Sequence, residues 1–191
     1  MNRSNTFKRN LVGALVLALL STASPVLAAD KTEDQLITEL ASSNEGKVTA
    51  ALLKLEKQYP TSTKAFPTIK KLLKDPREKV RRKAARVLGV LHAEVDQENI
   101  KDICALLKAS DPQEVMDGLK SLRGLKADAV VPEILPFLKH SNPGVVRDAC
   151  RTLAVLGNKD TIPSIEPLLN DPNKAVQKDA QDAIYKLRSK S

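Results

Sequence analysis

Hydrophobic residues near the middle of the chain recur with the spacing of an amphipathic helix. Between residues 72 and 91 they follow the pattern i, i+4, i+7, i+8 and i+11, at Val80, Ala84, Val87, Leu88 and Leu91. This spacing puts them on one face of a helix with 3.6 residues per turn. Another apolar helical pattern ends just before, and Asp75-Pro76 separates the two. Because Asp caps helices and Pro fits their first turn, we predict that the second helix starts at Asp75-Pro76.

The same pattern returns along the rest of the chain. The small residue Ala84 has counterparts at spacings of 33, 34, 31 and 31 residues, in the series Ala51, Ala84, Gly118, Ala149 and Ala180. The large apolar residue Leu88 has counterparts in the same register, at Leu55, Leu122, Leu153 and Ile184. A helix pair cannot bury its apolar face alone, so a fixed period of this length predicts stacked units. We predict an all-α fold, an α-solenoid of about five helix pairs.

The predicted helices follow from the apolar segments and the turn residues between them. The five pairs span residues 30–40 with 47–59, the two helices of 64–91, 96–108 with 113–125, 129–139 with 145–156, and 161–170 with 174–187. Pro136 and Pro167 fall inside first helices. Since proline lacks the backbone donor of a helix interior, we expect both helices to kink there.

A resemblance to a known family rests on two segments. The pattern Asp-Pro-x-x-x-Val-Arg-x-x-Ala-x-x-x-Leu-Gly runs from Asp75 to Gly89, and Asn142 to Leu153 gives a second match. Both segments resemble the HEAT repeat, in the short bacterial variety found in phycobilisome-lyase-like proteins. The resemblance implies a HEAT-like repeat domain over residues 29–191. It implies little about function, because such solenoids serve many unrelated tasks.

The N-terminal segment has the order of a signal peptide. Arg3, Lys8 and Arg9 precede an apolar run at residues 11–20, and a small-residue stretch ends at Ala28. We predict a signal peptide over residues 1–28, cleavage between Ala28 and Ala29, and a periplasmic protein. A retained membrane anchor is the alternative, but ten apolar residues fall well short of the roughly 20 that span a bilayer.

Candidate catalytic residues are few. His92 and His140 are the two histidines, and neither has a metal-ligand spacing with the other or with a cysteine. Among proteins with similar repeats, the deoxyhypusine hydroxylases use His-Glu dipeptides to hold iron, and this sequence contains none. We therefore predict no catalytic residue, no metal site and no cofactor. For Cys104 and Cys150, two separate core thiols are favoured over a disulfide, although an oxidising compartment permits one.

Positive charge is concentrated in one repeat. Without Arg3, Lys8 and Arg9, the chain has 28 basic and 23 acidic residues, whereas residues 64–86 alone hold ten basic and two acidic ones. We predict a partner-binding basic patch, here called the patch cations, at Lys79, Arg82, Lys83 and Arg86. Lys83 stands where Asp117 and Asp148 stand in later repeats, so we expect Arg82, Lys83 and Arg86 to lack local partners. The alternative is a solvated helix face in which Arg81 and Arg147 share one repeat position and pair structurally.

These observations favour a non-enzymatic, exported scaffold or adaptor that acts as a monomer and binds an acidic protein partner. One alternative is a lyase-like or hydroxylase-like enzyme subunit. Another is a binder of anionic lipid or cell-wall polymer, which suits both the charge and the compartment. Nucleic acid is disfavoured by export and by the low aromatic content, 3%, because single strands bind largely by stacking on aromatic side chains.

Overall fold

The computed structural model describes residues 31–94 and 96–190, and these ranges contain ten α-helices and no strand. The helices form five consecutive pairs, which confirms the predicted all-α solenoid. Their bounds are α1 Glu33–Glu39, α2 Glu45–Gln58, α3 Phe66–Lys71, α4 Glu78–Val90, α5 Gln97–Ala105, α6 Pro112–Gly124, α7 Val131–Ile134, α8 Pro143–Leu156, α9 Ile162–Ile165 and α10 Lys174–Arg188.

The first helices of the last four pairs end in 3₁₀ turns, at Leu72–Lys74, Leu106–Lys108, Leu135–Lys139 and Glu166–Asn170. The two longest of these turns contain Pro136 and Pro167. Proline removes a backbone donor and clashes with the carbonyl four residues earlier, so the chain leaves the α conformation before it. At the two prolines, where the sequence predicts a kink, the structure has a change from α-helix to 3₁₀ helix.

Four of the five second helices start with the same kind of cap. The N-cap residues Asn44, Asp111, Asn142 and Asn173 each accept a hydrogen bond from a backbone N–H of the first turn. These residues occupy one register, seven positions before the repeated small residue. The side-chain oxygen satisfies a donor that the helix itself leaves free.

The second helix of the basic repeat is the exception, and the predicted start at Asp75-Pro76 is wrong. Helix α4 begins at Glu78, and Arg77 occupies the N-cap register without a capping side-chain bond. Asp75 Oδ1 instead accepts from the Arg77 backbone N–H at 2.8 Å. The Arg77 guanidinium donates to the carbonyl oxygens of Ser42 and Ser43 in the preceding unit. A long cationic side chain thus replaces the local cap with a bond between repeats.

The core follows the register predicted from the sequence. All five repeated small residues and all five repeated large apolar residues are buried. The second helices pack closely against one another, α2 on α4, α4 on α6, α6 on α8 and α8 on α10. The repeated small residue has a different role at Gly118, where an added Cβ would meet Leu106 and Leu107 at the end of the first helix of the same unit. There it lets the two helices of one pair approach closely.

Helices α4 and α6 approach most tightly where both carry glycine. A Cβ atom placed on Gly89 would lie 2.7 Å from Ser121 Cα, and one on Gly124 would lie 2.2 Å from the Gly89 carbonyl oxygen. Both distances are shorter than nonbonded contacts allow. These two positions therefore require glycine because there is no space for a side chain.

The ends of α4 and α6 use a left-handed residue that is not glycine. His92 has φ 49° and Lys126 has φ 53°. The next residue closes the turn in each case, since Ala93 N–H donates to Leu88 O and Ala127 N–H donates to Leu122 O. This is the Schellman arrangement, in which glycine normally occupies the left-handed position. Both helix ends therefore contain backbone strain that a glycine would remove.

The two cysteine thiols are free. Cys150 is buried in α8, whereas Cys104 is half-buried on α5. The structure therefore agrees with two separate thiols, although only Cys150 lies fully in the core.

The predicted signal peptide, residues 1–28, lies outside the described residues, so the structure does not test it. Within residues 31–94 and 96–190, no helix combines the length and the apolar character needed to cross a bilayer.

Candidate partner-binding groove

The four patch cations line one groove on the surface formed by the second helices. Their spacing along α4 is i, i+3, i+4 and i+7, which places them on one face, opposite the buried Val80, Ala84 and Leu88. The groove has a volume of about 380 Å³ and is completed by Thr49 and Leu53 of α2 and Asp117 of α6. The predicted site residues are thus brought together, and neighbouring helices add residues that the basic repeat alone did not indicate.

The expectation that Arg82 and Arg86 lack local partners is wrong for Arg82, and both residues have acidic partners in neighbouring units. Arg82 Nη2 lies 3.0 Å from Asp117 Oδ2, and its Nη1 lies 3.3 Å from Glu78 Oε1 and 3.4 Å from Asp111 Oδ2. Arg86 Nη2 lies 2.6 Å from Glu56 Oε1. Most of these acids belong to the helices before and after α4. A search within one helical turn could not find them.

Lys79 at the rim of the groove has a looser partner. Its Nζ lies 3.5 Å from Glu45 Oε1, and the Lys79 side chain is exposed. An exposed pair at this distance contributes little to stability. Lys79 is therefore available to another anion at small cost.

A series of ion pairs joins consecutive second helices. An aspartate stands immediately before the small residue in the last three repeats, and we call this set the ladder acids: Asp117, Asp148 and Asp179. Each ladder acid binds cations of the preceding second helix. Asp148 pairs with Lys120 at 3.4 Å and with Arg123 at 3.9 Å.

The next step of this ladder has the same form. Asp179 pairs with Arg147 at 2.7 Å and with Arg151 at 3.1 Å. Aligned on the small residue, Arg147 corresponds to Arg82 and not to Arg81. The proposed equivalence of Arg81 and Arg147 is therefore wrong by one residue. Arg81 donates to the carbonyl oxygens of Asp75 and Pro76, and its Nη2 lies 3.5 Å from Glu114 Oε1 of α6.

Asp148 and Asp179 are buried, so their pairs differ from ordinary surface ion pairs. Asp148 also pairs with Arg151 of its own helix at 3.7 Å. A buried carboxylate that loses its cations is left uncompensated, which is costly. The ladder therefore fixes the register between units.

Lys83 interrupts the ladder, because it occupies the register of the ladder acids. Its side chain is half-buried and forms no hydrogen bond or ion pair with the residues that the structure describes. Burial lowers the pKa of the Lys83 ammonium group, and the nearby Arg86 adds to the decrease, while Glu56 and Asp117 partly oppose it. Of the predicted site residues, Lys83 alone keeps the unpartnered state expected from the sequence.

The groove continues along the stack. A cavity of about 490 Å³ shares Arg86 with the first, and a third, of about 300 Å³, shares Arg123 and Val155 with the second. We call the three together the second-helix groove, which runs past α2, α4, α6, α8 and α10. It is lined by three exposed hydrophobic residues, Leu53, Val90 and Val155, with exposed fractions of 43%, 48% and 41%. Apolar side chains thus lie between the cations.

The histidines have structural contacts, although His92 lines the same cavity as Arg86. His92 Nδ1 lies 2.7 Å from the Gly124 carbonyl oxygen. His140 Nδ1 accepts from the Asn142 backbone N–H at 3.0 Å, and its ring stacks on Phe137. Among the described residues, no three His, Cys, Asp or Glu side chains are grouped as metal ligands.

A separate apolar cavity of about 540 Å³ lies among the first helices, with Cys104 and Phe137 in its wall. Burial raises the pKa of the Cys104 thiol, and the charge of Glu133 raises it further. The thiol is therefore kept protonated near neutral pH, which does not favour a nucleophile.

Comparison with known proteins finds a family match over part of the chain. The model of the HEAT repeats family matches residues 100–185. The stalled ribosome sensor GCN1 of Homo sapiens and that of Mus musculus are each 38% identical over 80 residues, which cover 39% of this chain. This chain spans only 3% of the length of those proteins.

Solved structures share the fold. The complex of CpcE and CpcF of phycocyanin lyase from Nostoc sp. PCC7120 superposes with a TM-score of 0.72 at 24% identity, covering 84% of this chain and 66% of that one. A designed armadillo repeat protein in complex with the peptide (KR)4 superposes with a TM-score of 0.59 at 17% identity, covering 80% of both chains. Residues 100–185 therefore match HEAT repeats, and the described part of the chain has the fold of the HEAT and armadillo helical solenoids.

Proposed function

We propose that this chain is a non-enzymatic interaction scaffold that binds a protein partner along the second-helix groove. The proposal rests mainly on one observation, the continuous groove in which exposed Leu53, Val90 and Val155 alternate with cations. Contiguous exposed apolar surface bordered by polar groups is typical of protein interaction sites. HEAT and armadillo folds in general supply such binding surfaces, as in the designed armadillo protein bound to a peptide.

The positive charge of this groove favours acidic partners. Arg82 and Arg86 are paired within the protein, but Lys83 is unpaired and Lys79 only weakly paired. A residual positive field steers an acidic partner and accelerates its association, with a strong dependence on ionic strength. The apolar side chains then supply the area that holds the complex. We therefore propose an acidic partner with exposed apolar residues.

We also propose that the protein acts in the periplasm, because residues 1–28 have the order of a signal peptide. A periplasmic partner would be an envelope protein or the periplasmic part of a membrane protein. The groove does not depend on this location, so the two proposals can fail separately.

Site-directed photocrosslinking in intact cells tests the proposed surface. A photoreactive amino acid replaces Val90 in the groove or, as a control, Tyr185, which is 76% exposed and outside the groove. We expect a covalent adduct with another polypeptide from position 90 and none of that mass from position 185. Equal adducts from both positions, or none from position 90, would contradict the proposed binding surface.

The enzymatic alternative makes a different prediction. A lyase-like or hydroxylase-like subunit should bind bilin or iron when purified, and a saturable bilin absorption band or stoichiometric iron would favour it. The likeness to the phycocyanin lyase complex is at 24% identity and concerns the fold. A binder of anionic lipid would instead sediment with anionic vesicles in the absence of protein partners.

A further inference from the structure

Ladder acids form ion pairs at three of the four contacts between consecutive second helices. The first contact, between α2 and α4, has no ladder acid. Between α4 and α6, α6 and α8, and α8 and α10, a ladder acid of the later helix meets a cation of the earlier one. Between α2 and α4 the later helix contributes Lys83, and the facing residues of α2 are Thr49 and Leu53. Helix α4 therefore has a cation, Lys83, at the position where the later second helices have an acid.

The neighbouring charges compensate for this exchange only in part, through Glu56 and Asp117. Arg86 is paired with Glu56 and Arg82 with Asp117, so the nearest guanidinium groups already have acids of their own. Lys83 adds a further positive charge in a half-buried position beside them. A partly desolvated ammonium group without a partner is unfavourable, and an incoming anion relieves that cost.

The surroundings of Lys83 indicate what kind of anion fits. Leu53 lies in the same cavity, and exposed Val90 lies in the adjoining one. Successive side chains of an extended peptide point to opposite faces, so a peptide lying in the groove can direct its carboxylates to one wall and its apolar side chains to the other. A polysaccharide or polyphosphate offers no apolar side chains to match Leu53 and Val90. Charge and apolar surface together favour a protein segment.

We propose that an extended acidic and apolar segment of the partner inserts an Asp or Glu carboxylate at Lys83, where it takes the place of the missing ladder acid. The apolar residues of the segment contact Leu53 and Val90. This inference rests on the proposed function and specifies the partner of the same groove. An eight-residue extended segment measures about 26 Å, which is comparable to three helix-to-helix steps of about 8–10 Å.

Synthetic peptides test the inference directly. Fluorescein-labelled (Asp-Leu)4, (Asp-Ser)4 and (Lys-Leu)4 are titrated with the purified protein, and binding is followed by fluorescence anisotropy. We expect saturable binding of (Asp-Leu)4, about tenfold weaker binding of (Asp-Ser)4 and no saturation with (Lys-Leu)4, since both charge and apolar contact are required. Equal affinities for (Asp-Leu)4 and (Asp-Ser)4, or no binding of either, would overturn the inference.

Variants of Lys83 locate the carboxylate. Lys83→Met keeps the length of the side chain and removes its charge, so (Asp-Leu)4 should bind about tenfold more weakly. This loss of affinity lies between those expected for removing an exposed and a buried charge pair. Lys83→Asp supplies the missing acid from the protein itself and should abolish binding without lowering Tm. The matched control Lys178→Met, at an exposed lysine outside the groove, should change the affinity by less than twofold.

The two proposals fail in distinguishable ways. If Lys83→Met binds (Asp-Leu)4 as tightly as the unchanged protein while the photocrosslink from position 90 persists, the carboxylate site is wrong and the scaffold proposal stands. Dextran sulfate serves as a soluble polyanion without apolar groups. If it binds through Lys83 more tightly than (Asp-Leu)4, an anionic polymer and not a protein segment is the ligand.

Discussion

Single residues at the unit boundaries have roles that depend on the neighbouring repeat. Arg77 occupies a helix-cap position and instead binds Asp75 and two carbonyl oxygens of the first unit. Arg82 lies on the same α4 face as Lys83, yet it is paired and Lys83 is not. Residue type and helix face alone therefore do not determine which cation is free to bind a partner.

Asp75 should make stability depend on pH in a defined direction. The Arg77 side chain donates to the Asp75 carboxylate, and this lowers the pKa of Asp75 although burial opposes the shift. Because this pKa is lower in the folded than in the unfolded state, the ionised carboxylate contributes to stability. The contribution is fully present above about pH 4 and is lost as the pH falls through the folded pKa. Asp75→Asn should therefore lower Tm at pH 7, and the difference from the unchanged protein should shrink below about pH 4.

Thermal unfolding of both proteins between pH 2.5 and pH 7 measures this effect. The variant Asp128→Asn, at an exposed aspartate that forms no ion pair among the described residues, is the control and should leave Tm nearly unchanged. A difference between Asp75→Asn and the unchanged protein that stays constant down to the lowest pH would contradict the assigned role of the carboxylate.

Replacing Lys126 with glycine should stabilise the fold, whereas most substitutions destabilise a protein. Its φ of 53° costs a residue with a Cβ about 1–2 kcal/mol. Lys126→Gly should therefore stabilise the fold by about 1 kcal/mol, less what glycine loses in the unfolded state. Lys126→Ala keeps the Cβ and should give no gain. Chemical denaturation of the two variants measures the difference, and equal midpoints would show that the left-handed conformation carries no strain.

At the scale of the helices, the apolar pattern of the sequence predicted the fold correctly. The period of the small residue predicted five pairs, and all five members of that register are buried. The start of α4 was predicted wrongly because Asp75-Pro76 carries a strong local cap signal. Here the cap register, shared with Asn44 and Asp111, prevails over that signal.

The ion pairs between helices were missed for a different reason. Arg82 and Asp117 are 35 residues apart, so their contact depends on how the units stack. The sequence did contain a usable signal, because alignment on the small residue places Arg82 with Arg147 and Asp117 with Asp179 in the same columns. The continuity of the groove could not be predicted, since it depends on how far Val90 and Val155 protrude between α4, α6 and α8.

The crossing of α4 and α6 gives a stability prediction. Gly89→Ala places a methyl group 2.7 Å from the Ser121 backbone, which must move. Overpacking of this kind costs about 1–3 kcal/mol and outweighs the gain in helix propensity. Gly46→Ala is the matched control, because its Cβ would meet only the Asn44 side chain, at 3.3 Å. Urea unfolding should show a loss for Gly89→Ala alone, and similar losses for both would refute the close crossing.

For the whole molecule, the second-helix groove combines the observations at the smaller scales. Ladder acids pair with four of its cations, Lys83 remains unpaired, and three exposed hydrophobic residues lie along its length. The result is a surface with moderate positive charge and distinct apolar positions. Such a surface suits a specific acidic partner better than general binding of polyanions.

Processing at the N-terminus belongs to the same scale. Cleavage after Ala28 should give a protein whose mass corresponds to residues 29–191, recovered from the periplasmic fraction. Intact-mass measurement of the protein from its own cells tests this. A mass that includes Met1, together with recovery in the membrane fraction, would instead show a retained anchor.

The affinity of groove variants for the crosslinked partner tests the central claim most directly. Val90→Ser combined with Val155→Ser removes exposed apolar area without changing any charge, and Tyr185→Ser removes a more exposed side chain outside the groove. The account predicts at least tenfold weaker binding, about 1.4 kcal/mol, for the double variant, an unchanged Tm, and less than a twofold effect for Tyr185→Ser. Equal affinities of the two variants for the partner would contradict the claim that the second-helix groove is the binding surface.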